Sequence, residues 1–343
     1  MHAIAMTSVL PSFTGAPLAW IVLSVAVYNI ARSRAEAVAV QPSDHVVLAG
    51  ELWRWAPFIR DSIGRMRADH ELNRASWDQL ATIHGQDSYY DTDALCAGAS
   101  SLIAEEEAAL SEALGGEIAG KRILHLQCHL GFDAITFARR GARVTGVDFS
   151  SAALAKARSI AARCGVSIDW ICADALELPR DLRDSFDLVW ATIGVLCWIA
   201  DVSAWMREAA AVLAPGGKLV LIDGVPSAPR NGPGEPSKDV LAPVRKMIAR
   251  GCDYATTART GPQVQFQHSL EAILDAASRA GLRVTRLEEH TSISSHLCIN
   301  GLSRGTDGRF RHVGSQEPIL FALLAERVRE TIRPAGPNRS AAV

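Results

Sequence analysis

Short apolar runs in this 343-residue sequence end in small or polar residues, and those ends are where chemistry can gather. The run at 123–127 leads through Gln127, Cys128, His129, Leu130, Gly131 and Phe132 to Asp133, and the run at 143–148 ends in Asp148, seventeen positions beyond Gly131. A glycine just past a strand lets a ligand approach the backbone and opens the way to a helix N-terminus. An acid at such a distance beyond it is where the two hydroxyls of a ribose find an acceptor. The third run closes in Asp174, an acceptor for an exocyclic adenine amine, and the fourth runs out through Thr192, Ile193 and Gly194. These positions sketch a nucleoside pocket. A pyrophosphate does not suit it: there is no G-x-G-x-x-G or G-x-x-x-x-G-K-[ST], and Asp133 would repel the anion. A nucleoside with a positively charged tail suits it better.

The elements that must position these residues follow from the pattern. Apolar runs at 123–127, 143–148, 167–174, 186–192 and 218–223 alternate with helical stretches at 134–140, 152–163 and 202–213. Strand and helix alternating at this spacing predict a parallel sheet covered on both faces. A helix from Ser269 stops at Gly281, a strand follows from Leu282, and residues 318–325 make a seventh. The fold class is therefore α/β, a doubly wound, mostly parallel seven-stranded sheet. Helices over 66–83 and 99–115 precede it, and the connection between them puts His84, Tyr89 and Tyr90 where they can reach over a cleft.

Composition narrows the partners. Lys and Arg total 35 against 37 for Asp and Glu, a formal charge of -2, so no positive field gathers nucleic acid. Residues 17–31 are apolar but short of a membrane span, and membrane contact through them is not favoured. Seven cysteines with no C-x-x-C pair favour a reducing cytoplasm and no metal site. Cys128 beside His129 lacks the third orienting group of a thiol nucleophile.

The segments I-L-H-L-Q-C-H-L-G-F-D, G-A-R-V-T-G-V-D-F-S, A-D-A-L, F-D-L-V-W-A, G-V-L-C-W-I and L-A-P-G-G-K-L closely resemble class I S-adenosylmethionine-dependent methyltransferases. The usual acid-x-G-x-G-x-G turn is matched by Gln127, His129, Gly131 and Asp133. That replacement, with N-R-x-x-W-D and Y-Y-D ahead of it, resembles a bacterial branch carrying Q-C-H-x-G-x-D. The resemblance covers roughly residues 70 to 325.

It implies a Rossmann-like methyltransferase fold with S-adenosyl-L-methionine as cofactor. Gly131 would line the methionine portion, with Gln127, His129 and Asp133 beside it. Asp148 would hold the ribose, Phe149 would pack on adenine, and Asp174 and Ala175 would bound its edge. Thr192 and Gly194 would face the sulfonium and the acceptor. An oxygen or nitrogen acceptor needs a base, for which His84, Tyr90, His296 and Asn300 are candidates, with Asp223 and His290 behind them. Trp190, Leu196, Trp198 and Phe266 either line a small pocket or belong to the core.

The expected activity is methylation of a small organic molecule in the cytoplasm. Two alternatives stay open. One is another alkyl transfer from the same sulfonium, such as ring closure to azetidine-2-carboxylate with release of methylthioadenosine; the other is a non-catalytic cofactor-binding or structural protein. The expected organisation is an N-terminal extension at 1–65, disordered or membrane-peripheral; a helical cap at 66–119; the cofactor-binding domain at 120–328 with an insertion at 225–265; and a tail at 329–343. Sequence says nothing of the oligomeric state.

Overall fold

The computed structural model describes residues 64–85, 87, 89–225, 230–232, 235–236, 243–249, 251–252, 255–256, 258–297, 299 and 301–328. The expected extension up to residue 63 and the tail from residue 329 lie outside them, as does the apolar stretch at 17–31. The chain divides into units at 1–70 and 71–343. Of the first, residues 64–70 are described and are helical.

The second unit opens with α1 at 71–83 and the short α2, Thr92–Cys96, whose N-terminus Asp91 caps by accepting from the Ala94 N–H at 2.8 Å. Helix α3, Ala104–Leu114, starts later than the apolar spacing predicts. Ser100 and Ser101 ahead of it spend their side chains on Glu107, Asp133 and Thr136 instead of continuing a helix.

Then strand and helix alternate: β1 Arg122–Leu126, α4 Phe132–Arg139, β2 Arg143–Asp148, α5 Ser151–Arg163, β3 Asp169–Cys172, β4 Phe186–Thr192, α6 Val202–Val212 and β5 Leu213–Gly224. A hairpin of β6, Val244–Ile248, and β7, Gln263–Gln267, leads to α7, Leu270–Arg279, and β8, Leu282–His290. A second hairpin, β9 Leu302–Arg304 and β10 Phe310–His312, precedes β11, Leu320–Arg327.

The main sheet has seven strands in the order β8-β11-β5-β4-β1-β2-β3. All neighbours from β3 to β5 are parallel, while β11 runs antiparallel to both β5 and β8. The order reverses between β1 and β4, so the crevice for a ligand opens beyond their carboxyl ends. Central strands buried on both faces explain why the sequence reads as unbroken apolar runs: Leu124, Leu126, Val189 and Leu221 face one core, and Ile123, Leu188, Trp190 and Val220 the other. Trp190 is thus a core residue, with no exposed surface.

Cys96, at the end of α2, is joined by a disulfide to Cys164 at the end of α5. The cytoplasmic expectation drew on seven cysteines with no C-x-x-C pair, and this disulfide is a feature that the spacing did not suggest. Among the described residues, no helix is long and apolar enough to cross a membrane.

Candidate functional site

The turn after β1 departs from ordinary backbone. Gln127 and His129 hold φ of 57° and 46°, and Gly131 follows at 71°. Ile193, after β4, holds 50°. Non-glycine residues persist in this region only where surrounding contacts over-determine them, and such positions cluster at working sites.

Each of these residues is held by identifiable partners. The Gln127 amide donates to the Val195 carbonyl at 3.1 Å and accepts the Trp205 indole N–H at 2.8 Å, tying the first turn to the one after β4. His129 donates its backbone N–H to Asp148 Oδ2 at 2.9 Å, and its ring Nε2 lies 2.8 Å from Nδ1 of His84. Tyr90 completes an aromatic group, its ring centroid 5.0 Å from His84 and 5.5 Å from His129. The structure therefore brings two of the four candidate bases, His84 and Tyr90, against His129.

Asp148 ends β2 and is 6% exposed. Its second oxygen accepts the Ser150 N–H at 2.9 Å. Burial outweighs the backbone donors of Ser150, His129 and Phe149 and pushes the carboxyl up to about 6. Phe149 is half-buried beside it, Asp174 accepts the Leu176 N–H at 2.8 Å, and Ala175 is buried.

Asp133 is engaged from three sides. It accepts the Ser101 hydroxyl at 2.7 Å, the Trp190 indole N–H at 3.0 Å and the Thr192 hydroxyl at 3.2 Å. Asp223 is engaged still more fully, by the N–H groups of Gly194, Val195, Leu196 and Gly224 between 2.6 and 3.1 Å. Its carboxyl builds the turn after β4. Gly194 is exposed at φ 86°, and a side chain placed there would meet nothing within 4 Å.

Gly131 has a different reason to be glycine: a Cβ there would stand 2.2 Å from the Trp170 ring. Leu196 and Phe266 are 5% exposed and pack as core, leaving Trp198 as the half-buried member of the expected wall. His296 is exposed and edge-on to Phe310 at 5.4 Å, on the connection between β8 and β11. Asn300 lies outside the described residues.

Helix α1 supplies residues of the N-R-x-x-W-D motif that stand outside the candidate site residues. Trp77 sits edge-on to His129 at 4.9 Å and to Trp198 at 5.3 Å. Asp78 accepts the Ser150 hydroxyl at 2.6 Å. Asn73 uses both ends of its amide on the backbone of Val264 in β7, each at 2.8 Å. All three belong to N-R-x-x-W-D. Helix and hairpin are thus stitched together and set against the ends of β1, β2 and β4.

Residues 123–217 match the family model described as a methyltransferase domain. Among curated proteins, the chain is 38% identical over 104 residues to the ubiquinone biosynthesis O-methyltransferase of Bradyrhizobium sp. (strain ORS 278), covering 30% of this chain and 40% of that protein. The protein of the same name from Pseudomonas aeruginosa (strain UCBPP-PA14) is 27% identical over 186 residues, covering 53% of this chain and 77% of that one. The chain thus spans about two fifths of the first relative's length. An S-adenosylmethionine dependent methyltransferase of known structure from Mesorhizobium loti overlays with a TM-score of 0.45 and 24% identity, covering 68% of this chain and all of that one. The chain has an α/β Rossmann-like fold, and its sequence is similar to methyltransferase domains over residues 123–217.

Proposed function

We propose that the chain is an S-adenosylmethionine-dependent methyltransferase acting on a small organic molecule by in-line displacement. The observation that carries this reading is Asp148, a buried acid at the carboxyl end of the strand beside β1. Its oxygens take the backbone N–H groups of His129 and Ser150, one on each, with the Phe149 N–H as a further donor, and a carboxylate's four lone-pair sites leave it able to accept a ribose hydroxyl. The acceptor-only carboxylate and the acidic surroundings of Asp78 and Asp133 fit an adenosyl sulfonium and do not fit a dinucleotide. The similarity of residues 123–217 to methyltransferase domains supports the same assignment.

In this proposal Phe149 packs on adenine, Asp174 and Ala175 bound its edge, and the turn from Gln127 to Asp133 accommodates the methionine portion around Gly131. Thr192 and Gly194 face the reacting end. S-adenosylmethionine supplies a methyl group already activated on sulfur, so the chain's task is alignment and exclusion of water. Gln127 acts on alignment through Val195 and Trp205, and Asp223 through the N–H groups it gathers. Trp77, Trp198 and Tyr90 offer the acceptor an aromatic wall. His84 has no exposed surface, so it acts through His129; Tyr90 remains a candidate base, as do His296 and Asn300. Residues 66–119 serve as cap and 120–328 as the cofactor domain, with an insertion at 225–265, and the β6–β7 hairpin packs with the cap through Asn73.

Calorimetric titration with S-adenosylmethionine and S-adenosylhomocysteine, followed by chromatography of the nucleoside product after incubation with cell extract, tests the proposal. Binding and release of S-adenosylhomocysteine are expected. Release of methylthioadenosine would replace methylation by another alkyl transfer, and no binding of either nucleoside would leave a structural protein.

A further inference from the structure

Two carboxyls meet on Ser150, which has no exposed surface. Its N–H donates to Asp148 Oδ1 at 2.9 Å, and its hydroxyl donates to Asp78 Oδ1 at 2.6 Å while accepting the Ala153 N–H at 3.0 Å. With one proton to give, that hydroxyl is spent on Asp78. Trp77, the neighbour of Asp78 on α1, stands edge-on to His129 at 4.9 Å, and His129 donates its N–H to the other oxygen of Asp148 at 2.9 Å. The Trp77–Asp78 pair thus lies against both of the residues that hold Asp148. Asp78 itself is incompletely used. Its Oδ1 takes the Ser150 hydroxyl and, at 3.4 Å, the Ala152 N–H, whereas Oδ2 accepts no hydrogen bond among the described residues. An Arg74 nitrogen lies 3.8 Å from Oδ2, but Arg74 is hydrogen-bonded to Glu71.

We infer that Asp78 is a second ribose-binding residue, supplied by the helix ahead of the sheet, so that the vicinal diol of an adenosyl ligand donates one hydroxyl to Asp148 and the other to Asp78 and clamps α1 onto the end of β2. The inference rests on the transferase reading, which places a ribose at Asp148. A carboxylate with an unused oxygen accepts a hydroxyl proton in a charge-assisted bond, stronger than one to a neutral acceptor. Two carboxyls held on one serine repel each other, and the Asp78 charge is one of the influences that keep the proton on Asp148. A diol places two donors on adjacent carbons and answers both acceptors at once. The Asp78 side chain is 30% exposed, open enough for a ligand to reach it. Ligand affinity and the seating of α1 are then a single event, and the site selects a riboside over either monodeoxy sugar.

Calorimetry on the full chain, as wild type, Asp78→Asn and Asp78→Ala, with S-adenosylhomocysteine and its 2′-deoxy and 3′-deoxy analogues, makes a cycle between one side chain and each hydroxyl. Asp78→Ala should weaken S-adenosylhomocysteine binding about tenfold. Asp78→Asn keeps an oxygen for Ser150 but loses the charged acceptor, and should weaken it about fivefold. Against the analogue that lacks the hydroxyl taken by Asp78, both losses should shrink to less than about twofold. Losses of one size against all three ligands would mean that Asp78 acts only by holding Ser150, and no loss would remove it from the site. Either result overturns the inference and leaves the transferase reading standing. Wild-type protein that binds no S-adenosylhomocysteine overturns the reading and the inference together. Should the variants not fold, hydrogen exchange in the wild-type chain decides. Saturating S-adenosylhomocysteine should protect the amides of residues 71–83, and one of the two deoxy analogues at saturation should not. Equal protection by all three, or none by any, refutes Asp78.

Discussion

Nδ1 of His84 lies 2.8 Å from Nε2 of His129, although 45 positions separate the two residues. The pair joins the end of α1 to a turn whose backbone an imidazole-bearing residue enters only under strain, at φ 46°. His129→Gly is therefore a contest of two effects. Relief of the left-handed backbone returns about 1 kcal/mol, while loss of the His84 hydrogen bond and of the packing against Trp77 and Tyr90 costs about 3 kcal/mol. The variant should lose about 2 kcal/mol in urea denaturation. A glycine variant as stable as wild type would mean that the imidazole pair does not hold the helix to the turn.

Asp148 gives a signed pH dependence. Its carboxyl titrates at about 6 in the fold against an ordinary 3.8. The stabilising contribution of its proton is complete below 3.8 and is lost as pH rises through about 6, so the ionised group costs the ligand-free protein about 3 kcal/mol at neutral pH. Ribose hydroxyls favour the ionised form, so binding should follow the opposite slope. S-adenosylhomocysteine should bind about tenfold more tightly at about pH 8 than at about pH 5, and Asp148→Asn should abolish the difference. Calorimetry across that interval measures it; a flat wild-type profile removes Asp148 from the ribose.

The sheet was legible because its central strands are buried on both faces, which leaves an apolar run whose length alone separates strand from helix. Strands β8 and β11 were legible from the Gly281 stop and from the run at 318–325. What a side chain does at a strand end was not legible, since its partners come from distant segments. Gln127 reads as a substitute for a cofactor acid and is spent on Val195 and Trp205. Asp223 reads as a base and is spent on four backbone donors. Asp133 reads as a free charge and is surrounded by Ser101, Trp190 and Thr192. The N-R-x-x-W-D motif marked the cap, yet nothing in its spacing told that Asn73 meets Val264, 191 positions away.

That Asn73 contact makes its own prediction. The side chain supplies a donor to the Val264 carbonyl and an acceptor to its N–H, as a neighbouring strand would. Asn73 is 1% exposed, and Val264 has no exposed surface, so neither lost bond is replaced by water. Asn73→Ala should destabilise by about 2 to 4 kcal/mol. Asn73→Asp keeps the shape but turns an acceptor on the carbonyl, and should be at least as damaging above the carboxyl's pKa. Chemical denaturation at neutral pH checks both, and an aspartate that behaves like asparagine would refute the paired-amide geometry.

Gly131 separates packing from ligand binding. A methyl group there would lie 2.2 Å from the Trp170 ring, and at Gly146 2.5 Å from the same ring. One indole therefore covers two glycines, on the turn after β1 and on β2. Gly131→Ala meets both this overlap and a φ of 71°, for a combined cost of about 2 to 4 kcal/mol. Adding Trp170→Leu should recover the overlap portion and leave about 1 kcal/mol from the backbone, a coupling that a double-mutant cycle resolves. Additive single effects would mean that the ring does not enforce the glycine. Where the double variant is again stable, S-adenosylhomocysteine affinity divides the remaining roles: full recovery assigns Gly131 to packing against Trp170, whereas a persistent tenfold loss assigns its bare backbone to the methionine arm as well.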